Sequence, residues 1–265
     1  MGLLLGNFMD VSFIISGFAV GILVGMTGVG GGSLMTPLLT LLFGVSPAVA
    51  VGTDLAFASL TKGVGTSTHR LRGTVRWDIV RLLCIGALPA AVLASFGLKY
   101  FGTLSAELGQ VIRYMIACSV LLTVCALMFK RRMLAWVNAS LTRQLHGRAL
   151  AAATIFSGVV LGTLVTISSI GAGAIGATLL VMLYPRLTPA EVAGTDIAYA
   201  VPLTAIAAVG HWWLGSINWM LLLTLLVGSL PGITIGSYFA KSVPEHLLRG
   251  LLACTLVTVA AKLIM

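Results

Sequence analysis

Charge is scarce in this chain. Asp, Glu, Lys and Arg together make up 9% of its 265 residues, whereas a water-soluble domain carries about 25%. So few charges cannot keep a globular surface solvated, and soluble enzymes and soluble binding modules are excluded on that ground. Acid is scarcer than base, 7 residues against 16, for a net charge of +9. A basic excess can mark a nucleic-acid partner, but no patch here interleaves basic and aromatic side chains, and no nucleic-acid binding is expected. Cysteine is limited to Cys84, Cys118, Cys125 and Cys254, all inside apolar runs and with no CxxC pair. They read either as small helix-packing residues or as a sulfur-handling thiol. No spacing of His, Cys, Asp and Glu resembles a metal site, and GxSxG, HExxH and paired-carboxylate motifs are missing. No metal, no cofactor and no catalysis are therefore expected. The opening "MGLLLGNFMDVSF" lacks the basic region and cleavage site of a signal peptide, so its apolar segment is expected to be retained. Gly6 stands where a myristoylation signal needs Ser or Thr.

What the chain has in abundance is apolar length. Apolar residues make up 58% of it and the mean hydropathy is +1.08. Its solvent is lipid, and its length suits an all-α bundle of eight to ten helices at about 20 residues each. Gly, Pro and charge bound apolar segments at 11–27, 33–43, 47–68, 78–98, 109–129, 150–168, 174–184, 189–211, 218–239 and 246–264. Segments 33–43 and 174–184 are too short to span, at roughly 17 Å of helix. Each follows a glycine cluster, "GMTGVGGGS" or "SSIGAGAIG". The longest polar stretch, Lys130 to Arg148, divides the chain. Its "MLAWV" suggests a short interfacial helix with Trp136 at headgroup level.

The two sides of that divide repeat each other. Displaced by the distance from Pro47 to Pro189, the "GTD" at 52–54 falls on the "GTD" at 194–196. His69 then falls on His211, Gly73 on Gly215, Trp77 on Trp219, Gly86 on Gly228 and Pro89 on Pro231. About 16 of 54 pairs over 46–99 are identical, more than chance supplies. Upstream the glycine clusters match only with a further shift of about a residue. The expected organisation is a first membrane repeat at 1–129, a cytoplasmic linker at 130–148 and a second membrane repeat at 149–265. Five segments per copy is an odd number, so the copies should have opposite orientations. With the linker in the cytoplasm, "HRLRGTVR" also falls there, and its mate "HWWLGSIN", without Lys or Arg, falls outside. Roughly twelve of the basic residues then lie inside, Lys99, Arg113 and Lys262 outside, and Lys62 in the membrane, as the positive-inside rule requires. Both termini come out external. Inverted repeats with glycine-interrupted short segments are a transporter signature, with the substrate near the midplane.

Several residues are candidates for that site. The clusters Thr27, Gly28, Gly30, Gly31, Gly32, Ser33 and Ser168, Ser169, Gly171, Gly173 each open a short helix. They read as tight turns between closely packed helices, or as unwound N–H groups and hydroxyls facing an anion. The Lys-Ser/Thr of a phosphate loop is missing. Asp54 and Asp196, beside Thr53 and Thr195, lie about 10 Å past a helix-starting proline. A carboxylate in hydrocarbon costs roughly 2.5–3.5 kcal/mol, so each must face protein or water. Each either anchors the neighbouring broken hairpin through its N–H groups or acts as a proton site. Lys62 lies about 12 Å further along the helix from Asp54. Its repeat mate is Thr204, so the symmetry breaks there. It attracts an anion, pairs with an acid of another helix, or snorkels to the cytoplasmic face. His69 and His211 end equivalent helices at opposite faces, as helix ends or as coupling groups.

These residues resemble the sulfite exporter TauE/SafE family, also called TSUP. The carriers of the likeness are "GMTGVGGGSLMTPLL" with "VSPAVAVGTDLAFAS", their mates "IGAGAIGATLLVML" and "LTPAEVAGTDIAYAVPLT", and "GSLPGITIGS". The likeness covers nearly the whole chain. It implies a multi-pass transporter in a bacterial inner (plasma) membrane. Its partners would be the lipid bilayer and a small anionic substrate such as sulfite, sulfoacetate or another organosulfonate, often moved outward. Glycines 28–32 and the two GTD sites would form the translocation region. The second copy has "GAGAIG" for "GVGGGS" and lacks an equivalent of Pro37, so equal roles for the halves do not follow. No nucleotide-binding motif appears, which leaves the membrane potential or a proton gradient as the drive. An inside-negative potential favours anion export by about 2.3 kcal/mol per charge at 100 mV. A carrier of a non-sulfur organic anion, an intramembrane enzyme and a structural subunit are the alternatives. Neither the oligomeric state nor the particular anion follows from these residues.

Overall fold

Proline and glycine punctuate the helices. In the computed structural model, residues 11–22, 35–36, 39–40, 43–102, 118, 146–171 and 173–239 are described. Helix α1 is Val11–Ile22. Then come α2 (Pro47–Leu71), α3 (Trp77–Gly102), α4 (Gly147–Ser168), α5 (Ala174–Leu183), α6 (Pro189–Trp213) and α7 (Trp219–Phe239). Among the described residues there is no strand. Proline fits the first helical turn, where its missing N–H would have had no partner, and both α2 and α6 begin on one. At α6 a capping box completes the start. The Thr188 hydroxyl accepts from the Glu191 N–H at 3.3 Å, and the Glu191 carboxylate accepts from the Thr188 N–H at 2.9 Å. Gly73 and Gly215, at φ +67° and +70°, turn the chain after these two helices in the left-handed region that glycine tolerates.

Helices α2 and α6 are both 25 residues long and start on the repeat-equivalent prolines. They pack antiparallel at the centre. Gly52, near the start of α2, lies against the His211 side chain in the last turn of α6 and the Ser216 carbonyl just past its end. Gly194, near the start of α6, lies against the Thr74 carbonyl just past the end of α2. The turns that follow α2 and α6 therefore sit at opposite ends of the pair. The turn after α2 carries Arg70, Arg72 and Arg76, whereas the turn after α6 carries Trp212 and Trp213 and no Lys or Arg.

Two further pairings repeat one scheme. Helices α3 and α4 meet where Gly86 faces the Ile155 carbonyl, Gly158 the Leu83 carbonyl and Gly162 the Ala87 carbonyl. Helices α1 and α7 meet where Gly228 faces the Ile14 carbonyl, Gly17 the Leu225 carbonyl and Gly21 the Ser229 carbonyl. Any side chain at these glycines would strike a neighbouring backbone, and such small-residue seams are how helices associate in lipid. The α1 contacts match those of α4 one residue short of the α2/α6 displacement, which is where the upstream shift lies.

Among the described residues, four helices are long and apolar enough to cross a membrane: Trp77–Tyr100, Gly147–Ser168, Pro189–Trp213 and Trp219–Gly236. Helix α2 is as long as α6 but more polar, since it carries Asp54, Lys62 and several hydroxyls. The outer surface exposes Ile85, Leu93, Phe156, Met220, Leu223 and Val227, as contact with lipid tails requires. The core is filled by Phe57, Leu55, Met35, Leu39, Tyr199 and Leu203.

Helix boundaries agree with the expected segments to within a few residues. Segment 78–98 extends to Gly102 because Lys99 and Tyr100 stay helical, with the Lys99 ammonium 3.2 Å from the centre of the Trp213 ring. Helix α5 is the short segment expected at 174–184, and it has 10 residues. Segment 109–129 apart from Cys118, segment 246–264, most of the linker with Trp136, and part of 11–27 and 33–43 lie outside the described residues.

Candidate functional site

The break between α4 and α5 is built from unusual backbone. Helix α4 ends at Ser168, and Ser169 follows at φ 57°, with its N–H donating to the Val165 carbonyl at 2.7 Å. Gly171 and Gly173 adopt φ of 124° and 129°, which side-chain-bearing residues rarely adopt. Ser168 is used inside the turn. Its hydroxyl donates to the Leu164 carbonyl at 2.7 Å and accepts from the Ile170 N–H at 3.3 Å. The turn thus leaves the Gly173 amide and the Ser169 hydroxyl directed at the two central helices.

Each meets an acid there. Asp54 is fully buried and accepts a 2.6 Å hydrogen bond on Oδ2 from the Thr36 hydroxyl. The Ser169 hydroxyl lies beside the same carboxylate without closing a hydrogen bond of good geometry, and Asp54 Oδ1 and Ser169 Oγ are both left without a partner. Asp196, 4% exposed, faces the Gly173 amide. Its Oδ1 and the hydroxyl of the buried Tyr199 both press on the bare Cα of Gly176, and neither oxygen has a hydrogen-bond partner. Lys62, 5% exposed, lies within electrostatic reach of both acids. The structure therefore forms two buried polar clusters, Asp54 with Thr36 and Ser169, and Asp196 with Gly173, Tyr199 and Gly176, and Lys62 reaches both. Thr204, the repeat mate of Lys62, turns its hydroxyl to the Ala200 carbonyl of its own helix.

Other candidates are engaged elsewhere. The Thr53 hydroxyl accepts from the Asn218 N–H and the Thr195 hydroxyl from the Arg76 N–H, both at 3.1 Å. Each GTD threonine thus fastens the start of the other half's next helix. Arg76 also reaches Glu191 at 3.6 Å and Asp78 at 3.5 Å, which reinforces that end. His69 pairs through Nδ1 with the Thr74 hydroxyl at 2.8 Å. His211 is buried, with Nε2 2.9 Å from the Thr166 carbonyl. A carbonyl only accepts, so Nε2 carries the proton and caps the free end of α4. His211 lies fifteen residues beyond Asp196, about 22 Å along the helix, but its side chain packs on Gly52, two residues from Asp54, and His69 Nδ1 packs on Gly194, two residues from Asp196. Gly171 shapes the turn and shows no polar contact with either acid. Thr27, Gly28, Gly30, Gly31, Gly32 and Ser33 lie outside the described residues. Among the described residues no three His, Cys, Asp or Glu side chains come together. Cys84, half-buried, lies within electrostatic range of Tyr199.

Thr36, Tyr199 and Gly176 are absent from the sequence-based candidates. The signal for Tyr199 was a hydroxyl placed where the first copy has Phe57. Thr36 and Gly176 carry no local signal, because what matters is which acid each one faces.

Described residues without a strand, apolar outer surfaces, long apolar helices and buried charged groups beside a broken helix define the class: a helical membrane protein built around a polar interior. The family is shown directly. The chain belongs to the sulfite exporter TauE/SafE family, whose pattern matches residues 13–263. It is similar to the "Probable membrane transporter protein YjnA" of Bacillus subtilis (strain 168), at 37% identity over 261 residues, covering 97% of this chain and 100% of that one. It is also similar to the "Probable membrane transporter protein YdhB" of the same organism, at 29% identity over 242 residues, covering 90% and 93%. A "Probable membrane transporter protein" of Xylella fastidiosa (strain Temecula1 / ATCC 700964) is 24% identical over 256 residues, covering 94% and 92%. No solved structure matches the chain. The chain is a membrane transporter of the TauE/SafE family.

Proposed function

We propose that this transporter moves small sulfur-containing anions, such as sulfite, sulfoacetate or other organosulfonates, outward across a bacterial inner membrane. The observation that carries the reading is Lys62, buried between Asp54 and Asp196 where the α4–α5 break presents the Gly173 amide. A buried ammonium, unwound backbone amides and hydroxyls suit sulfonate or carboxylate oxygens. The site residues are Ser169, Gly173 and Lys62, with Thr27, Gly28, Gly30, Gly31, Gly32 and Ser33 as their first-half counterparts. Asp54 and Asp196 anchor the two breaks or couple transport to protons.

The proposed architecture is two inverted repeats, 1–129 and 149–265, of about five membrane segments each, joined by a cytoplasmic linker at 130–148. The antiparallel α2/α6 pair supports it, as do the equivalent bounds of α2 and α6 and the reciprocal Thr53 and Thr195 hydrogen bonds. The basic turn at 70–76 would face the cytoplasm.

Purified protein in liposomes, loaded in turn with labelled sulfite, sulfoacetate and acetate, tests the substrate class. Flux of the sulfur anions above empty liposomes is expected. Flux of acetate alone would favour the carrier of a non-sulfur anion. Absence of flux for all three would return the enzyme and structural-subunit readings.

A further inference from the structure

The buried centre does not balance its own charge. Among the described residues it holds two carboxylates, Asp54 and Asp196, and one ammonium, Lys62. With all three ionised, one negative charge is left over in a region closed to water. An uncompensated buried charge is strongly unfavourable, and a group in that position normally neutralises instead. The centre therefore has room for one positive charge.

The hydrogen bonding indicates where it goes. Lys62 reaches both acids, and Asp54 is the one that takes a 2.6 Å hydroxyl bond on one oxygen while its other oxygen is left without a partner. Asp54 is arranged as a carboxylic acid would be. Oδ2 accepts from Thr36 at 2.6 Å, which suits the carbonyl oxygen. Oδ1 has no partner, which suits the hydroxyl oxygen. Ser169 Oγ, buried and also without a partner, lies beside that carboxyl as the natural acceptor.

We infer that the Asp54–Lys62–Asp196 centre binds one exchangeable proton, carried on Asp54 Oδ1 and directed at Ser169. The step is a proton transfer from water to the carboxylate, with no change of oxidation state. Among the described residues the groups facing Asp54 are few. Lys62 lies on its own helix, and Asp196, beside Tyr199 on α6, is linked to Asp54 only through Lys62. Thr36 comes from the helical residues 35–36, and Ser169 from the end of α4. Helix α5 carries no ionisable side chain. His211 stands against Gly52, with its Nε2 proton committed to the Thr166 carbonyl. A sodium ion fits less well, because Lys62 already occupies the region as a cation and the Oδ1 side offers few visible oxygen ligands.

The proton would neutralise the centre before an anion enters it. Proton and anion then favour each other's binding, and the favour is reciprocal. That coupling rests on the anion-transport reading, whereas the proton site does not. The test uses the full chain in lipid without any transported anion. Infrared difference spectra are recorded across pH for the carboxylic-acid C=O band, in sodium and in choline buffers. Wild type should show one buried protonated carboxyl that titrates, and D54N should lose it. K62M leaves two carboxylates without an ammonium, and its band should double. S169A should move the titration midpoint, while Y199F, beside Asp196, should leave it in place. If D54N does not fold, the other three variants carry the test. No titrating band in wild type, an undiminished band in D54N, or an undoubled band in K62M would overturn the inference. A midpoint that moves in Y199F but not in S169A would place the proton on Asp196. A midpoint that follows sodium would make the exchangeable cation sodium instead. Because no flux enters these readouts, a failure to carry sulfite leaves the result standing.

Discussion

Removing the Thr53 or the Thr195 hydroxyl should weaken the protein by similar amounts. Valine keeps the shape of threonine and deletes the oxygen. In wild type, Thr53 accepts from the Asn218 N–H and Thr195 from the Arg76 N–H, each at 3.1 Å and each joining residues far apart in the chain. Both threonines are fully buried, whereas Asn218 and Arg76 sit at exposed helix starts and the two bonds are part-buried, so water replaces the lost acceptor only in part. An amide stripped of its partner in such a place costs about 1–3 kcal/mol. The side chain at Asn218 reaches the Leu221 N–H at 3.0 Å and gives no help to the Asn218 amide itself. A loss of about 1–2 kcal/mol is expected for T53V and for T195V. The two bonds lie near opposite ends of the antiparallel pair, about 21 Å apart along it. Sites that far apart add to within about 0.5 kcal/mol, so the double variant should lose the sum. Thr163 is the control. It is exposed on α4 and its hydroxyl only returns to the Val159 carbonyl of its own helix, so T163V should cost little. Reversible unfolding in mixed detergent micelles, followed by circular dichroism, gives the differences. Single losses that differ by more than about 1 kcal/mol, or a double loss far from the sum, would refute the equivalence of the two fastenings.

Three other outcomes follow from the same contacts. G173L should insert in the membrane but lose transport, because Gly173 sits at φ 129° and directs its amide at Asp196; wild-type flux would remove Gly173 from the site. K62M should fold nearly as well and weaken apparent anion affinity, chiefly from the cytoplasmic side; unchanged affinity in flux measured from each face would remove Lys62 from the anion's path. Single cysteines at Arg72 and Trp213, in a background without the native cysteines, should be labelled from opposite sides of intact cells; labelling from the same side would sink the inverted arrangement.

What could be read from the residues was the punctuation. Pro47 and Pro189 start helices, Gly73 and Gly215 turn the chain after them, and the Ser169–Gly173 stretch breaks it, because proline and glycine act through their own backbone. The partners of the polar residues were a different matter. Thr53 and Thr195 invited a substrate role because they adjoin the acids, yet their oxygens serve amides 165 and 119 residues away. His69 and His211 suggested coupling because histidine titrates, yet their rings bind Thr74 and the Thr166 carbonyl at helix ends. No periodicity encodes such contacts, since they arise when the two halves meet.

The same reasoning explains why identical motifs need not do identical work. Both halves carry GTD at the same place on helices of the same length. Asp54 meets a hydroxyl donor, Thr36, at hydrogen-bond distance. Asp196 meets a backbone amide, the bare face of Gly176 and an unpartnered Tyr199 hydroxyl where the first copy has Phe57. Lys62 adds its charge from the first copy alone, within reach of both acids. A repeat that fixes two equivalent carboxylates in the bundle thus gives them unlike surroundings through three substitutions. Gly176 and Tyr199 shape the polar space around one acid, and Lys62 is a single ammonium that the two acids share. Restoring symmetry is the direct check on that account. Y199F makes the second acid's surroundings resemble the first's without changing charge, while T204K supplies the second copy with its missing ammonium. T204K should bring the centre to neutrality without a proton, and the titrating carboxyl band should then vanish even with Asp54 in place. A band that persists in T204K would mean that the charge at position 204 does not reach the centre, and that the two halves differ for a reason other than charge.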